Sequence, residues 1–389
     1  MRYFTADRIL PVSSTAIENG VIITDDEGVI QDVLTAEQYS IHDSHGEKPE
    51  KMEGWLCPGF INTHCHLELS YLKGVVTPKT GMAYFIRELL KNRFKFTPEQ
   101  MQQSYADAEQ EMLKNGIVAV GDISNFDHSL YIKQQGKLYY HTFVELLGMN
   151  PFDAGILIDG ANVLASRFKE VPKGNASVVP HAPYTVSPSL FTLLKNNCYD
   201  NESPVSIHMQ ESPAEEQFIY DLTGDFAQLF SDLKFDFSSM PQYKAKPMKA
   251  VLPQLPLCSS LLMVHNTLTT AEEIKWAQSI HKNIYWTLCP KANLYIEDRL
   301  PDIPAFIKEN GKMVIGTDSL TSNDTLNIME EMKTINSHFP EISLEEMIPW
   351  ATINGAKALA VEKEFGSLEK NKKPGINNVT KNFTVRRII

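Results

Sequence analysis

Residues 58–66 read PGFINTHCH, a short apolar run that ends in two histidines separated by one residue. Side chains on a β-strand point alternately to its two faces. A strand over this run would turn His64 and His66 to the same side, where both imidazoles can bind one metal ion, and would turn Cys65 away to pack. An H-x-H pair by itself is common, and its position after an apolar strand is what indicates a metal site.

Further short apolar runs follow, and most lead into a longer stretch with helical periodicity. The predicted strands cover residues 58–66, 116–123, 137–146, 176–181, 204–209, 260–265, 283–288 and 312–318. The clearest predicted helices cover residues 98–115, 187–196, 270–281 and 300–310. This alternation predicts parallel βα units of an α/β fold, which we expect to close into a (β/α)8 TIM-like barrel over residues 58–361. An open doubly wound sheet is the alternative, but no glycine-rich phosphate loop follows the first strand.

The two ends of the chain have a different pattern. Residues 1–57 and 362–389 contain short strand-like segments joined by polar turns, among them FGSLE at 365–369 and NVTKNFTVRRII at 378–389. Neither end is long enough to bury a hydrophobic core alone. We therefore expect the two ends to pair into one small β-sandwich beside the barrel.

Residues 212–258 form an unusually long connection after the fifth predicted strand, with aromatic residues throughout. Long insertions of this kind usually form lids or pocket walls. We expect a lid here, and an oligomer contact or plain surface packing is the alternative.

The 389-residue chain has a formal net charge of −12, with 43% hydrophobic and 22% charged residues. This acidity argues against a nucleic-acid partner, which needs clustered Lys and Arg. The amino terminus carries charges where a signal peptide would be apolar, and no window approaches a membrane span. The cysteines form no C-x-x-C pair and are expected to be reduced thiols: Cys57, Cys65, Cys198, Cys258 and Cys289. We expect a cytoplasmic protein without a nucleic-acid or membrane partner.

Polar side chains lie at the carboxyl ends of further predicted strands, namely His181, His208, His265 and Asp318. In a (β/α)8 barrel these ends form one rim, where active sites are assembled. Beside the H-x-H pair, His208 is the expected third nitrogen ligand and Asp318 the oxygen ligand. Three imidazoles and one carboxylate leave a position open for water, as in catalytic zinc sites. Zinc is the favoured divalent ion, and iron(II) suits the same ligands.

We expect a single metal ion. A site with two ions needs a bridging carboxylate, often a modified lysine, and no lysine follows the fourth strand at the required place. Glu145, on the third strand, is the only rival bridge, and its apolar surroundings permit a structural role instead.

Glu211 follows His208 by three residues and indicates the type of reaction. Hydrolytic deamination of an amidine-like ring needs an acid that protonates the ring nitrogen, and a carboxyl group beside the metal can supply it. The alternative is a surface glutamate that interacts with a helix dipole. His265 would hold the attacking water by a hydrogen bond, with a satisfied core histidine as the alternative.

Three more residues are candidates for contact with a substrate. His181, in VVPHAPYTVSP, is predicted to contact the substrate or to stabilise the tetrahedral intermediate, although this segment could merely start a helix. Glu68 lies just beyond the H-x-H pair, where it could equally be an ordinary helix-terminus residue. Asn293 follows the seventh strand and is expected to line the pocket.

The motifs together resemble the amidohydrolase superfamily. PGFINTHCH resembles its first-strand motif, and HAPYTVSP, IHMQE, MVH and GTDS resemble later strand-end motifs of its deaminase branch, which acts on adenosine-type and cytosine-type rings. Within that branch, HLELSYLKG and GMAYFIRELL are most similar to the aminodeoxyfutalosine deaminases. The resemblance implies zinc or iron at His64, His66, His208 and Asp318, Glu211 as proton shuttle, and His265 with Asp318 acting on the attacking water.

Two departures from the family pattern concern substrate contacts and the terminal sheet. Ala292 stands where the family often has serine before the asparagine, and GSLEKNKKPGINNVT lacks an expected Ala-Asp pair. The resemblance and the acid Glu211 together favour hydrolytic deamination of an amino-substituted, adenine-like heterocycle. Hydrolysis of a cyclic amide or of a halogenated ring on the same scaffold is the alternative, and a metal-binding protein without activity is a second one. A small molecule is the expected partner, and the oligomeric state is open, with a homodimer as one candidate.

Overall fold

The computed structural model describes residues 1–42, 48–197, 203–256 and 258–389. Its strands, in chain order, are β1 (Arg2–Ile9), β2 (Ile17–Glu18), β3 (Val21–Thr24), β4 (Ile30–Leu34), β5 (Glu50–Pro58), β6 (Phe60–Cys65), β7 (Ile117–Ser124), β8 (Tyr139–Leu146), β9 (Gly174–Pro180), β10 (Val205–Met209), β11 (Leu261–His265), β12 (Ile284–Leu288), β13 (Lys312–Ile315), β14 (Ile376–Val379) and β15 (Val385–Arg387). Cys198 lies outside the described residues, and the cysteines within them are free thiols.

The helices lie mostly between these strands. In chain order they are α1 (Ala36–His42), α2 (Met82–Asn92), α3 (Pro98–Lys114), α4 (Leu130–Lys133), α5 (Ala154–Lys169), α6 (Pro188–Asn197), α7 (Pro213–Asp221), α8 (Gly224–Asp232), α9 (Pro247–Val251), α10 (Ala271–Ile280), α11 (Pro290–Glu297), α12 (Ile303–Lys308), α13 (Ile328–His338), α14 (Leu344–Met347) and α15 (Ile353–Ala358). Short 3₁₀ helices cover Leu67–Leu72, Pro151–Asp153 and Leu252–Gln254. Within the described residues, no helix combines the length and apolar character needed to cross a bilayer.

Strands β6 to β9 form one parallel four-stranded sheet, and β10 to β13 form another. Each strand neighbours the next one in sequence, and helices lie in the connections, so the eight strands have the order of a (β/α)8 TIM-type barrel, as predicted. Individual hydrogen bonds join the two sheets. At one seam the His208 N–H donates to the His181 carbonyl at 2.9 Å, and at the other Thr317 and Asp318 both donate to the His64 carbonyl at 3.0 Å.

The two ends of the chain share one seven-stranded sheet, in the order β15-β14-β5-β1-β3-β4 with β2 paired to β1. Carboxy-terminal β14 pairs antiparallel with β5, which pairs parallel with β1. Phe4, Ile22, Met52, Leu56 and Ile376 are buried together on this sheet and give it a small hydrophobic core of its own. The predicted association of the two ends is therefore present, and the division of the chain at residues 57 and 362 stays a prediction.

Some predicted element boundaries differ from those in the structure. FGSLE at 365–369 is a bend and an irregular segment rather than a strand, and Gly366 within it has φ 86°, in the left-handed region that glycine adopts readily. The strand predicted over 312–318 ends at Ile315 and the chain turns before Asp318, which itself has φ 55°. The helix predicted over 300–310 starts only after Asp302, whose side chain accepts a hydrogen bond from the Ala305 N–H and caps it.

The insertion at 212–258 contains α7, α8 and α9 and builds an aromatic cluster against the barrel rim. Phe218, Phe226 and Phe230 pack with Phe85 of α2 and with Tyr184. The Tyr184 and Phe226 rings lie 4.3 Å apart between centroids, and Tyr184 also contacts the His181 ring at 5.7 Å. The insertion therefore forms a wall beside His181, and its opening and closing as a lid stay a prediction.

Candidate metal centre and active site

The end of β6 brings two imidazoles together. Every residue of β6 is buried, His64 lies within it and His66 directly follows it. The two Nε2 atoms are 3.2 Å apart, and the rings meet edge to face at 4.9 Å between centroids. The backbone of Cys65 bridges to Asp318 while its thiol is fully buried. The strand thus aims both Nε2 atoms at one point.

His208, at the end of β10, brings a third imidazole to that point. Its Nε2 lies 3.3 Å from the Nε2 of His66, and its Nδ1 lies 2.9 Å from the His181 carbonyl oxygen. A carbonyl oxygen can only accept, so Nδ1 must carry the hydrogen and Nε2 must present a free lone pair. This is the arrangement in which a histidine binds a metal through one nitrogen and is oriented through the other.

Asp318 supplies a carboxylate next to the three imidazoles. Its Oδ1 lies 3.4 Å from the His66 Nε2 and 3.6 Å from the His64 Nε2, and the Ser322 hydroxyl donates to its Oδ2. Burial raises the pKa of Asp318, but the hydrogen bond with His64 and the neighbouring imidazoles outweigh it and hold the pKa below the usual range. Asp318 is therefore an anionic candidate metal ligand at neutral pH.

The donor set fits one divalent cation. The N···N separations of 3.2 and 3.3 Å approach the edge of about 3.4 Å expected for nitrogens bound at about 2.1 Å in a tetrahedral zinc site. Burial lowers the pKa of His66 and of His208 to about 4, so both imidazoles are neutral and able to bind a metal at neutral pH. These neutral imidazoles and the anionic carboxylate have the chemistry that such an ion requires.

Glu145, the rival bridging ligand, lies behind this cluster. Its Oε1 is 3.4 Å from the His208 Nδ1, and its Oε2 accepts a hydrogen bond from the Asn125 amide at 3.2 Å. Glu145, His181 and His208 could by distance hold an ion of their own. However, the His208 Nδ1 already donates a hydrogen bond to the His181 carbonyl, so it is not free to bind a metal ion and this second group lacks one ligand.

The candidate acid Glu211 contacts His265. The Glu211 Oε1 lies 3.3 Å from the His265 Nε2, and both residues are buried. Burial, together with the negative charges of Asp318 and Glu215, raises the pKa of Glu211 well above its usual value. Burial lowers the pKa of His265 well below its usual value. A protonated carboxyl beside a neutral imidazole is therefore the expected state at neutral pH, and that carboxyl can donate a proton.

Glu68 is held differently from a free substrate-binding carboxylate. Its Oε2 accepts hydrogen bonds from the backbone N–H groups of Asn125 and Phe126, both at 3.1 Å, and its Oε1 lies 3.5 Å from the Ser129 hydroxyl. Burial raises the pKa of Glu68 to about 7. Both oxygens thus stabilise the loop after β7, and a contact between Glu68 and a substrate stays a prediction.

His181 and Asn293 lie next to the central cluster. The His181 ring is 4.8 Å from the His208 ring between centroids, and its Nδ1 lies 2.6 Å from the Thr185 hydroxyl. The Asn293 amide donates to Thr267 at 2.7 Å and lies 3.4 Å from the His265 Nδ1. The Asn293 Oδ1 is buried and has no hydrogen-bond partner among the described residues, so it is available as an acceptor.

The sequence analysis did not predict a buried ion pair that involves β7, the strand next to β6. Lys133 Nζ lies 2.6 Å from Asp122 Oδ2, and both side chains are fully buried. Asp122 Oδ1 also accepts the N–H of Leu67, the residue directly after His66, at 2.8 Å. Asp122 could have been noticed because it lies near the carboxyl end of β7, but nothing in the sequence around Lys133 indicates burial.

A parallel (β/α)8 barrel that gathers imidazoles, an anionic carboxylate and a protonated acid at the carboxyl ends of its strands has the architecture of a metal-dependent hydrolase. The comparison with known families agrees with this class. The chain belongs to the amidohydrolase family, since the sequence model of that family matches residues 55–389.

Individual proteins are similar to this chain over most of their length. The adenosine deaminase of Helicobacter pylori is 26% identical over 332 residues, which are 83% of this chain and 78% of that protein. The Helicobacter pylori aminofutalosine deaminase in complex with methylthio-coformycin has a TM-score of 0.80 at 20% identity, over 100% of both chains. An adenosine deaminase from Xanthomonas campestris with bound zinc has a TM-score of 0.75 at 20% identity, over 97% of this chain and 84% of that one. At this identity the two solved structures establish the shared fold.

Proposed function

We propose that this chain catalyses the hydrolytic deamination of an adenine-containing nucleoside-like small molecule. The observation that carries the proposal is the buried Glu211 carboxyl, whose pKa is raised well above its usual value and whose Oε1 lies 3.3 Å from the His265 Nε2. Protonation of a ring nitrogen at neutral pH requires such an acid beside a metal-binding cluster. Similarity to an adenosine deaminase and to an aminofutalosine deaminase supports an adenine ring.

In this proposal four side chains hold one divalent ion, with zinc favoured: His64, His66, His208 and Asp318. When bound, the ion supplies a Lewis acid that makes water a better nucleophile at neutral pH. The zinc bound in the Xanthomonas campestris adenosine deaminase supports this choice of metal. Iron(II) stays the alternative, because imidazole and carboxylate ligands suit both ions.

The residues of the chain divide the proton transfers among themselves. Asp318 accepts a proton from water as the water oxygen bonds to the amino-bearing ring carbon, and Glu211 gives its proton to the adjacent ring nitrogen. His181 and His265, as neutral imidazoles, stabilise the charge that develops at this step. The amino group then takes the proton held by Asp318 and leaves as ammonia, while the new hydroxyl returns a proton to Glu211. Both carboxyl groups end as they began, and the product carries a carbonyl in place of the amine.

The proposed setting follows from the type of substrate and the thiols. We propose that the protein acts in the cytoplasm, where its described cysteines remain free thiols and where nucleoside-like metabolites are available. A homodimer remains a prediction.

The test is ammonia release by metal-replete protein against a panel of adenine nucleosides, aminodeoxyfutalosine, guanine, cytosine and pterins. The Glu211→Gln variant, with its metal content measured, is the matched control for chemistry that depends on the acid. Ammonia from the adenine-containing members, and almost none with Glu211→Gln, is the expected result. If no member releases ammonia at full metal occupancy, the proposal is wrong and hydrolysis of a cyclic amide or of a carbon–halogen bond becomes the better hypothesis.

A further inference from the structure

Helix α7, which follows the candidate acid, starts in an unusual way. Ser212 is its N-cap, and the Ser212 hydroxyl accepts the N–H of Glu215 at 3.3 Å. In a capping box, the acidic or amide side chain at this third helical position reaches back to the N–H of the N-cap residue. The chain forms such boxes with Thr97 and Gln100, with Thr270 and Glu273, and with Ser343 and Glu346.

Glu215 instead reaches past Ser212 to the residues before it. Its Oε2 accepts the backbone N–H of Glu211 at 2.8 Å, and its Oε1 accepts the backbone N–H of Gln210 at 3.0 Å. Glu215 is fully buried. Its two carboxylate oxygens thus bind two consecutive amides, and the second of these belongs to the candidate acid.

The segment that Glu215 binds has a backbone shape that needs support. Gln210 has φ 49°, a left-handed conformation that side-chain-bearing residues seldom adopt. The Gln210 side chain is also held: its NH2 group donates to Glu273 Oε1 at 3.0 Å, and its Oε1 accepts from the Thr269 hydroxyl at 2.9 Å. Two helices, α7 through Glu215 and α10 through Glu273, therefore fix the turn that directs the Glu211 side chain towards His265.

Burial of a carboxyl group costs free energy unless hydrogen bonds compensate for the hydration that it loses. Burial raises the pKa of Glu215, and the two backbone N–H groups oppose this rise because they favour the ionised carboxylate, which can accept on both oxygens. An exposed capping box would stabilise the helix start without this burial, as Glu346 does at α14. At α7 the buried Glu215 instead binds the backbone N–H of Glu211 and so holds this part of the chain in place.

We infer that Glu215 is a positioning residue, which holds the backbone of Glu211 so that the Glu211 carboxyl is aimed at the substrate ring. The inference rests on the proposed function, because it takes Glu211 to be the acid. Glu215 touches neither the substrate nor the candidate metal ligands in this scheme and acts only through Glu211.

The test is a double-mutant cycle of Glu215→Gln and Glu211→Gln, with kcat, KM, metal content and thermal unfolding measured for each protein. In Glu215→Gln one oxygen becomes an NH2 group, which faces a backbone N–H and cannot accept from it. We expect kcat to fall about 10- to 100-fold, the loss typical of a slightly misplaced catalytic group, while KM and metal content stay unchanged. In the Glu211→Gln background the second substitution should cost less than about twofold in the remaining kcat.

Glu346→Gln is the matched control, because it removes the carboxylate of a true capping box far along the chain. It should lower the thermal unfolding midpoint slightly and leave kcat unchanged. If Glu215→Gln does not fold, Glu215→Asp replaces it, since the shorter side chain cannot reach both N–H groups and should give the same loss in kcat.

Two outcomes would overturn the inference alone, and a third would overturn it together with the proposed mechanism. A wild-type kcat for Glu215→Gln, or an equal loss in both backgrounds, would show that Glu215 does not act through Glu211. A wild-type kcat for Glu211→Gln would instead remove the acid from the proposed mechanism.

Discussion

The imidazole of His208 donates its Nδ1 hydrogen to the backbone carbonyl of His181, 2.9 Å away. One hydrogen bond thus does two things. It leaves the Nε2 lone pair of His208 facing the other imidazoles, and it joins β10 to the chain just after β9 at a seam of the barrel where a backbone hydrogen bond also connects the same two residues. The orientation of the third nitrogen donor is therefore built into the backbone.

His208→Asn is expected to lower the affinity for a divalent metal by at least about 100-fold, because it removes a ligand that the backbone already orients. Metal content after competition with a chelator measures the effect. His141→Asn is the matched control, since His141 is also a buried histidine of the barrel but bonds to Ser177. Equal metal retention by both variants would exclude His208 from the ligand set.

Glu211→Gln is expected to keep its metal and its KM while kcat falls about 10²- to 10⁴-fold, the usual contribution of a general acid. The amide keeps the shape of the side chain but has no acidic proton to give. Steady-state ammonia release measures kcat, and Glu216→Gln, on the first turn of α7, is the control that should retain activity. A rate near that of the wild type would rule out the proton-transfer role.

Lys133→Met is expected to destabilise the fold by about 3–5 kcal/mol, because Asp122 would be left as a buried charge without its cation. Urea unfolding measures the loss. Adding Asp122→Asn to Lys133→Met should restore part of the stability, since the uncompensated charge is then gone. Lys91→Met, which breaks an exposed pair with Glu88, serves as the control and should leave the unfolding midpoint almost unchanged. A small effect of Lys133→Met would mean that water reaches Asp122.

Stability should fall with acidification partly because of His141. Burial lowers the pKa of His141 to about 3 in the folded chain, against 6.5 for the free imidazole. Between these values the unfolded chain binds more protons, so the free energy of unfolding decreases as the pH falls from about 6.5 to about 3. One such site contributes a slope of up to about 1.4 kcal/mol per pH unit.

His141→Asn is therefore expected to make the pH dependence of the unfolding free energy shallower over this window. Urea unfolding of metal-free protein at about pH 7, 6 and 5 measures the slope. His338→Asn, at an exposed histidine of α13, controls for the loss of one imidazole. If His141→Asn and the wild type show parallel slopes, His141 does not set this dependence.

The sequence predicted the barrel because strand and helix signals have fixed periods. All eight predicted strands overlap observed ones, and the helix predicted over 98–115 matches α3 (Pro98–Lys114) closely. The predicted rim residues also lie together, since strand ends meet at one rim whatever the loops do. The predictions that were wrong concern where single elements begin and end, such as the strand predicted over FGSLE, which contains the left-handed Gly366. A single backbone dihedral angle cannot be deduced from the composition of a segment.

Contacts that depend on loop conformation were beyond the sequence. The Glu68 carboxyl is turned towards the Asn125 and Phe126 N–H groups, which no spacing rule connects to it. The Asp122–Lys133 pair joins β7 to a four-residue helix whose burial is decided by its neighbours. Glu215 looks like an ordinary helix-start acid, and only its hydrogen bonds distinguish it from one.

The two seams of the barrel give a bound cation a mechanical meaning. His64 and His66 belong to the half-barrel of β6 to β9, whereas His208 and Asp318 belong to the half-barrel of β10 to β13. Each half owns two of the four donors, so neither half can retain an ion firmly by itself. An ion bound at this point would link the two half-barrels. Its retention would therefore report that both half-barrels have assembled into one barrel.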